Sequence, residues 1–323
     1  MFERVFKLSE HKTTVKTEVM AGITTFMTMA YILAVNPSVL GSTGMDTTAV
    51  LLATALASCL GTLCMAFMAN LPFALSAGMG LNAFMAYTVV AGYGYSWQVA
   101  LLAVFIEGLI FIVLSLTNIR EAIFNAIPLT LKKGVSVGIG LFIAFIGLQN
   151  SGLCVDSATL VGIISFPENF HTAGICALLT LIGLFFTAVF YTRKMKGAIL
   201  YGILLTWILG MLCQVTGLYV PTPDAGFYSL FPSWGMTDFS RLGLTFGQCF
   251  NVDFSAVGIV NFIVVIFSFL FVDIFDTLGT LIGVATKAKM LDKDGKLPGI
   301  KPALLADSIA TSAGAILDRK SVV

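Results

Sequence analysis

Two carboxylates, Asp273 and Asp276, stand well inside the apolar run Val257 to Ala285, which is long enough to span a bilayer. As a helix, this run puts Asp273, Asp276, Thr277 and Thr280 at i, i+3, i+4 and i+7, so all four point to one side. Hydrocarbon is excluded as the neighbour of that stripe, because an acidic group inside a membrane helix costs about 2.5 to 3.5 kcal/mol. The stripe must line a protein interior or a watery cavity. There a carboxylate can bind and release a proton, and its oxygens can accept from the N–H groups of a planar solute. That pairing suits proton-coupled uptake of a heterocycle; the plainer alternative is a buried polar contact tying helices together.

A second constellation is Ser76-Ala77-Gly78-Met79-Gly80 with Asn82 close behind, inside the short apolar segment Leu71 to Val90. Two glycines and small neighbours predict an extended or unwound stretch there, which at membrane depth must be buried in protein or line a cavity. The residues after Gly80 can then open a half-helix whose positive end lies near the midplane, with Asn82 in its first turn. Close helix packing through small residues is the competing reading. GMGLNA also fits a loose dinucleotide fingerprint but lacks any βαβ context.

Weaker candidates complete the set. Thr24, Thr28 and Tyr31 share a face of the first span ahead of Asn36-Pro37, and hydroxyls so placed usually bond back to their own helix. Glu107 and Asp307 are acids within spans: Glu107 is read as a proton relay or an interhelical hydrogen bond, Asp307 as structural. His11 and His171 receive no role. Cys59, Cys64, Cys176 and Cys213 sit in apolar runs without metal-like spacing, and Cys154 and Cys249 are expected to be free thiols rather than a disulfide.

The elements that carry these residues follow from composition. With 58% hydrophobic and 11% charged residues over 323 positions, and a mean hydropathy of +0.96, the chain is a polytopic membrane protein. A net charge of +1, with basic residues clustered at helix ends, gives no sign of nucleic-acid binding. Spans are expected near Val19 to Leu40, Ala49 to Leu71, Trp97 to Thr117, Leu131 to Leu148, Ala173 to Tyr191, Gly197 to Thr216, Val257 to Ala285 and Ala303 to Leu317. If residues 71–90 also cross, the spans number nine. The basic residues Arg4, Lys7, Lys12, Lys16, Arg120, Lys132, Lys133, Arg193, Lys194, Lys196, Lys287, Lys289, Lys293, Lys296 and Lys301 then share one side with the N-terminus, leaving Arg241 opposite. If they do not cross, the positive-inside rule fails, so a broken crossing at 71–90 and a cytoplasmic N-terminus are expected.

Asn118 to Ile127 reads as an interfacial anchoring helix, with Ile119, Ile123 and Ile127 on one face, and the aromatic-rich stretch Gly217 to Phe254 as an ordered outer cap. Leu51 to Leu63 aligns without gaps on Leu304 to Ile316, a faint repeat that would enter from opposite sides of the membrane. Asp318 to Val323 follows a span with three charges and spells DRKSVV, which a widely used sequencing adapter encodes. Residues 318–323 are therefore expected to be a non-native tail on a C-terminally incomplete chain.

The stretches FKLSEHKTTVKTEVMAGITTFMTMAYILAVNPSVL, SAGMGLNAF and VDIFDTLGTL, in that order, closely resemble the adenine/guanine/hypoxanthine permeases, a branch of the nucleobase/ascorbate transporter superfamily. The resemblance runs from about Phe6 to Leu317. It implies an all-α, uracil-permease-like fold of seven plus seven spans in inverted repeat, of which about nine are present. It also implies a core domain moving against a gate domain, and proton-driven purine import across the bacterial plasma membrane with no cofactor beyond the proton gradient. On that reading 1–18 is a cytoplasmic segment, 19–117 the core and 118–216 the gate of the first repeat, 217–256 the cap, and 257–317 the start of the second core.

The resemblance carries substrate contact to Asn82 and Asp273, with Gly80, Phe84 and Thr277 beside them, and proton coupling or support to Asp276 and Glu107. Phe26 and Phe275 are candidates for stacking on the ring. A further family acid has no counterpart in this sequence. The partners implied are a purine nucleobase, protons and the lipid bilayer, with homodimerisation left open. Three rivals remain: an anion carrier of the same architecture, which paired acids disfavour; an intramembrane aspartyl protease using Asp273 and Asp307, which lacks its GxGD signature; and an inert fragment that inserts but transports nothing.

Overall fold

The computed structural model describes residues 3, 6, 8–9, 13–117, 119–158, 160–195, 197–223, 226–232, 237–254, 257–292, 297–317 and 321–322. His11, the charges Arg4, Lys7, Lys12, Lys196, Lys293 and Lys296, and residues 318–320 and 323 of the expected tail lie outside the described residues. In chain order the elements are α1 (Val15–Met29), α2 (Ile32–Gly41), α3 (Thr47–Cys64), β1 (Ser76–Ala77), α4 (Met79–Ala83, continued by a π-helical segment Phe84–Gly92), α5 (Trp97–Leu116), α6 (Ile119–Ala126) and α7 (Leu129–Asn150). They continue with β2 (Cys154–Ser157), β3 (Leu160–Ile163), α8 (Ile175–Thr192), α9 (Ala198–Val215), α10 (Ile259–Lys287), α11 (Ile300–Leu317) and β4 (Ser321–Val322).

Among the described residues, eight helical stretches are long and apolar enough to cross a membrane: Val15–Gly41, Thr47–Ala69, Trp97–Leu116, Thr130–Asn150, Phe166–Thr192, Ala198–Val215, Ile259–Lys287 and Ile300–Leu317. They coincide with the eight apolar windows of the sequence. Their outer faces carry Leu, Ile and Phe in contiguous exposure, as at Leu184, Phe185, Leu212, Phe267 and Phe271, a surface that suits lipid and not water. The chain is thus a mostly helical, multi-pass membrane protein. It is not wholly helical as expected: β1 pairs antiparallel with β4, and β2 with β3 in a hairpin.

Chain contacts separate two units. One comprises Met1–Val15, Met29–Gly140 and Thr237–Val323. Within it α11 packs against α3 and α5. The approach of α5 to α11 is close because Gly108 carries no side chain: a Cβ there would lie 3.0 Å from the Ser312 backbone nitrogen. On α10, Gly279 receives Val135 and Ile139 of α7 in the same manner.

The break expected in residues 71–90 is present. Asn70 closes the preceding helix in the left-handed region (φ 51°), and the chain runs extended into β1 before α4 begins at Met79. Side chains of α3 satisfy its backbone: Thr62 Oγ1 donates to the Leu75 carbonyl at 3.2 Å and accepts from the Leu75 N–H at 3.1 Å. Ser58 and Ser76 hydroxyls meet at 2.9 Å, and in the strand Ser76 pairs with Val322 and Ala77 with Ser321.

The other unit comprises Lys16–Thr28 and Leu141–Met236. Its α8 and α9 interlock reciprocally. Thr187 donates to the Gly183 carbonyl of its own helix at 2.7 Å while its side chain fills the notch at Gly202 on α9; Thr206 donates to the Gly202 carbonyl at 2.8 Å and fills the notch at Gly183. Beyond α9 the chain folds back under side-chain ties. Trp207 Nε1 donates to the Leu230 carbonyl at 2.9 Å, Gln214 bonds Ser229 and Leu230, and the Tyr219 hydroxyl donates to the Tyr228 carbonyl at 2.7 Å. All six cysteines are free thiols, as expected.

Candidate functional site

Asn82 lies in the first turn of α4, where its backbone N–H bonds the Gly78 carbonyl at 3.0 Å. Its side-chain amide donates to Asn36 Oδ1 on α2, and Asn36 Nδ2 donates to Thr54 Oγ1 on α3 at 2.8 Å. All three side chains are fully buried. With its nitrogen engaged, the Asn82 carbonyl oxygen has no hydrogen-bond partner among the described residues, although it is buried. An orphaned acceptor of this kind costs about 1–3 kcal/mol and is satisfied by a donor from elsewhere. Gly80, half-buried, stands one residue after α4 begins. Phe84, two positions past Asn82, packs edge-on against Phe269 of α10 with ring centroids 5.2 Å apart.

One turn beyond Phe269 on α10 comes Asp273, fully buried, followed by Thr277, at 1% exposure. The Thr277 hydroxyl lies 3.3 Å from both Asp273 Oδ1 and Asp307 Oδ2, so its single proton is shared between the two acids. Arg120 completes the cluster. Its Nη2 donates to Asp307 Oδ2 at 2.8 Å and lies 3.8 Å from Asp273 Oδ2; its Nη1 donates to the Leu304 carbonyl at 2.9 Å and to Ser308 Oγ at 2.7 Å. The guanidinium carbon sits 4.0 Å from the Phe111 ring centroid, a cation–π contact in a dry setting. Ion pairs so buried are held by their hydrogen bonds, and removal of one partner costs about 3–5 kcal/mol.

The other sequence candidates fall in different places. Asp276 and Thr280 are half-buried, with the Thr280 hydroxyl bonding back to the Asp276 carbonyl at 2.9 Å. The four-residue stripe is therefore graded, with Asp273 and Thr277 innermost. Glu107 is fully buried on α5. Phe275 is 39% exposed on the outer side of α10, and Phe26, in the other unit, is 62% exposed. Thr24 and Thr28 bond back to Met20 and Thr25 carbonyls, as hydroxyls in a helix commonly do.

Arg120 is the residue that sequence reading missed. It was counted among the inside charges of an anchoring helix, and Ile119 and Ile123 of α6 are indeed exposed while Arg120 turns inward. The available signal was charge balance: buried acids on two neighbouring spans require a cation, and Arg120 is carried by the segment that leaves α5. A guanidinium bonded to Asp307 and facing Asp273 also removes the proton-sharing acid pair that a protease would need.

The arrangement offers acceptors on two neighbouring elements, the Asn82 carbonyl and the Asp273 carboxylate, with aromatic faces beside them. Among the described residues at this site, no nucleophile is paired with a base.

Comparison with known proteins agrees with a transport role. The chain is 44% identical over 322 residues to the guanine/hypoxanthine permease PbuG of Bacillus subtilis, covering 97% of this chain and 68% of that one. It is 42% identical over 318 residues to PbuO, a guanine/hypoxanthine permease of the same organism, at 97% and 68% coverage. With the adenine permease AdeP of Escherichia coli it shares 40% identity over 326 residues, 100% of this chain and 67% of that one. A sequence model described as the permease family matches residues 16–319, and this chain belongs to that family of membrane transporters.

Proposed function

We propose that the protein imports purine nucleobases across the plasma membrane, driven by protons. The observation that carries this reading is the buried Asn82 carbonyl, held in place by Asn36 and left without a donor, on the strand-to-helix break that packs against the acid-bearing helix. A purine edge supplies ring N–H donors to Asn82 and Asp273, with Thr277 beside them, while its faces lie against Phe84 and its neighbours. Relatives named adenine and guanine/hypoxanthine permeases support this choice of substrate.

Proton coupling is supported by the place of Asp273 and Asp307, two acids within membrane spans, where ionisable groups commonly serve as proton relays. Asp273, the acid farther from the Arg120 guanidinium, takes the proton as substrate binds, and Asp276 and Glu107 support the transfer. The two halves of the family fold form an inverted repeat in this reading, supported by the gap-free match of Leu51–Leu63 with Leu304–Ile316 and by the packing of α3 on α11. The N-terminus is cytoplasmic, as the positive-inside rule requires.

Uptake of radiolabelled adenine, guanine and hypoxanthine by a purine-uptake-deficient bacterium expressing the protein tests the proposal. Accumulation of at least one of them, abolished by a protonophore, is expected. A protein that reaches the membrane but moves no purine overturns it.

A further inference from the structure

Beyond α9 the chain turns back along the helix it has just left, the turn closed by the Phe227 N–H on the Thr222 carbonyl at 3.1 Å. α9 is 18 residues long, about 27 Å at 1.5 Å per residue, so its whole length is needed to cross about 30 Å of hydrocarbon. Leu230 meets it at Gly210, where a Cβ would lie 2.9 Å from Leu230 Cδ1. That position is about 7 to 8 Å short of the Val215 end, well inside the span. Side chains of α9 hold the returning backbone: Gln214 Oε1 accepts from the Leu230 N–H at 2.8 Å, and Trp207 Nε1 donates to the Leu230 carbonyl at 2.9 Å. The Tyr219 hydroxyl donates to the Tyr228 carbonyl at 2.7 Å, and Phe227 and Leu230 pack on the core of Ile175, Leu179 and Tyr219.

The other side of this run is open. Tyr228, Ser229 and Phe231 are exposed, and the backbone N–H and carbonyl of Ser229 bond to none of the described residues. The Ser229 hydroxyl accepts from Gln214 Nε2 at 2.9 Å and from the Phe231 N–H at 3.3 Å, so its own proton remains for a partner outside. Non-helical backbone at membrane depth cannot face lipid, because an unpaired polar group is costly in hydrocarbon; it is covered by protein or it lines water. Three polar groups of one residue face outward here, which favours water over an apolar cover.

We infer that residues 227–231 form a re-entrant segment lining a water-filled vestibule that enters the bilayer along α9. Bulk water is its occupant. A polar solute approaching from the Val215 end of α9 therefore travels the first 7 to 8 Å or so of bilayer depth beside protein and water. This holds whichever solute the protein carries.

Two measurements on the protein in lipid nanodiscs decide it. Residue-resolved hydrogen–deuterium exchange of the unaltered protein is expected to show the Ser229 amide exchanging at least about a hundredfold faster than the amides of α9, with Leu230 protected. Gln214→Leu should lower the protection of Leu230 by about tenfold. Depth is read from Gly210→Cys/Leu230→Cys in a Cys176→Ala/Cys213→Ala background, where oxidation is expected to form a disulfide. A Ser229 amide as slow as those of α9 would mean a cover of lipid, a second copy or another protein segment, and overturns the vestibule. Fast exchange without cross-linking, in a variant with the gel-filtration profile of the unaltered protein, would put the segment in water above the membrane and overturns its re-entrant placement. Protection of Leu230 that Gln214→Leu leaves unchanged overturns that placement as well, and needs no cysteine pair.

Discussion

The side-chain amide of Asn82 donates to the carbonyl oxygen of Asn36, and neither side chain reaches solvent. Since Asn36 in turn donates to Thr54, three elements fix one amide: α2 and α3 hold the side chain that α4 presents. The Asn82 side chain is thus held in one orientation, with its carbonyl fixed in place.

Truncation of the support should therefore be felt at the site. Asn36→Ala leaves the Asn82 amide and the Thr54 hydroxyl short of a partner, at about 1–3 kcal/mol. Since about 1.4 kcal/mol is tenfold in affinity, KM for purine uptake is expected to rise by roughly tenfold or more at unchanged membrane abundance. Thr54→Ser keeps the acceptor and should transport normally. An unaltered KM in Asn36→Ala would separate Asn36 from the site.

The acids of α10 should not respond alike. Asp273 is fully buried beside Arg120, while Asp276 is half-buried. Asp273→Asn is expected to abolish measurable uptake, and Asp276→Asn to impair it by a smaller factor with the protein still folded. Thr277→Val, which removes the hydroxyl shared by Asp273 and Asp307, should fall between them. Uptake kinetics normalised to membrane protein would expose the opposite ranking.

These contrasts mark where the sequence was informative. Hydropathy located the eight long helices, because a bilayer demands long uninterrupted apolar runs and the chain has no cheaper way to satisfy its backbone. The glycines before Asn82 announced the break at β1, and spacing put Asp273 and Thr277 on one face. Spacing could not grade that face: Asp276 is as close to the stripe in sequence as Thr277, and only the packing of the bundle decides which is buried. Asn36 and Thr54 look like ordinary polar residues of spans, and nothing in their spacing from Asn82 reveals that they meet. Arg120 was hidden for a sharper reason. The isoleucine period of α6 describes its exposed side, and a long side chain on the other side can reach a bundle interior that periodicity does not see.

The α8–α9 interlock carries a stability prediction. Gly183→Ala would drive a methyl into the Thr206 hydroxyl, and such overpacking costs about 1–3 kcal/mol. Gly22→Ala, on α1 with open space where the Cβ would stand, should be neutral or stabilise by about 0.5–1 kcal/mol. Thermal denaturation followed by fluorescence-detected size exclusion should rank Gly183→Ala below the unaltered protein and Gly22→Ala at or above it. Equal losses in both would mean that glycine flexibility, and not the notch, is what matters.

Cys249 offers a test outside the spans. It is fully buried in the core formed with Val257 and Phe262, and burial pushes its thiol up, against a smaller lowering by its own backbone hydrogen bond. A thiol whose folded-state pKa lies above its unfolded value keeps its proton longer in the folded protein. Its contribution is therefore fully present below the unfolded value, about 8.5, and is lost as pH rises through the folded value. Two results follow. At pH 8 a maleimide should modify Cys154, half-exposed in the β2–β3 hairpin, well before Cys249. Above about pH 8.5 the Tm of the unaltered protein should fall more steeply than that of Cys249→Ala, because only the former has a buried thiol to deprotonate. Cys249 reacting as fast as Cys154 in the folded protein would mean that the segment around Gly247, tied to the end of α11 by its 2.8 Å bond to the Ile316 carbonyl, opens readily.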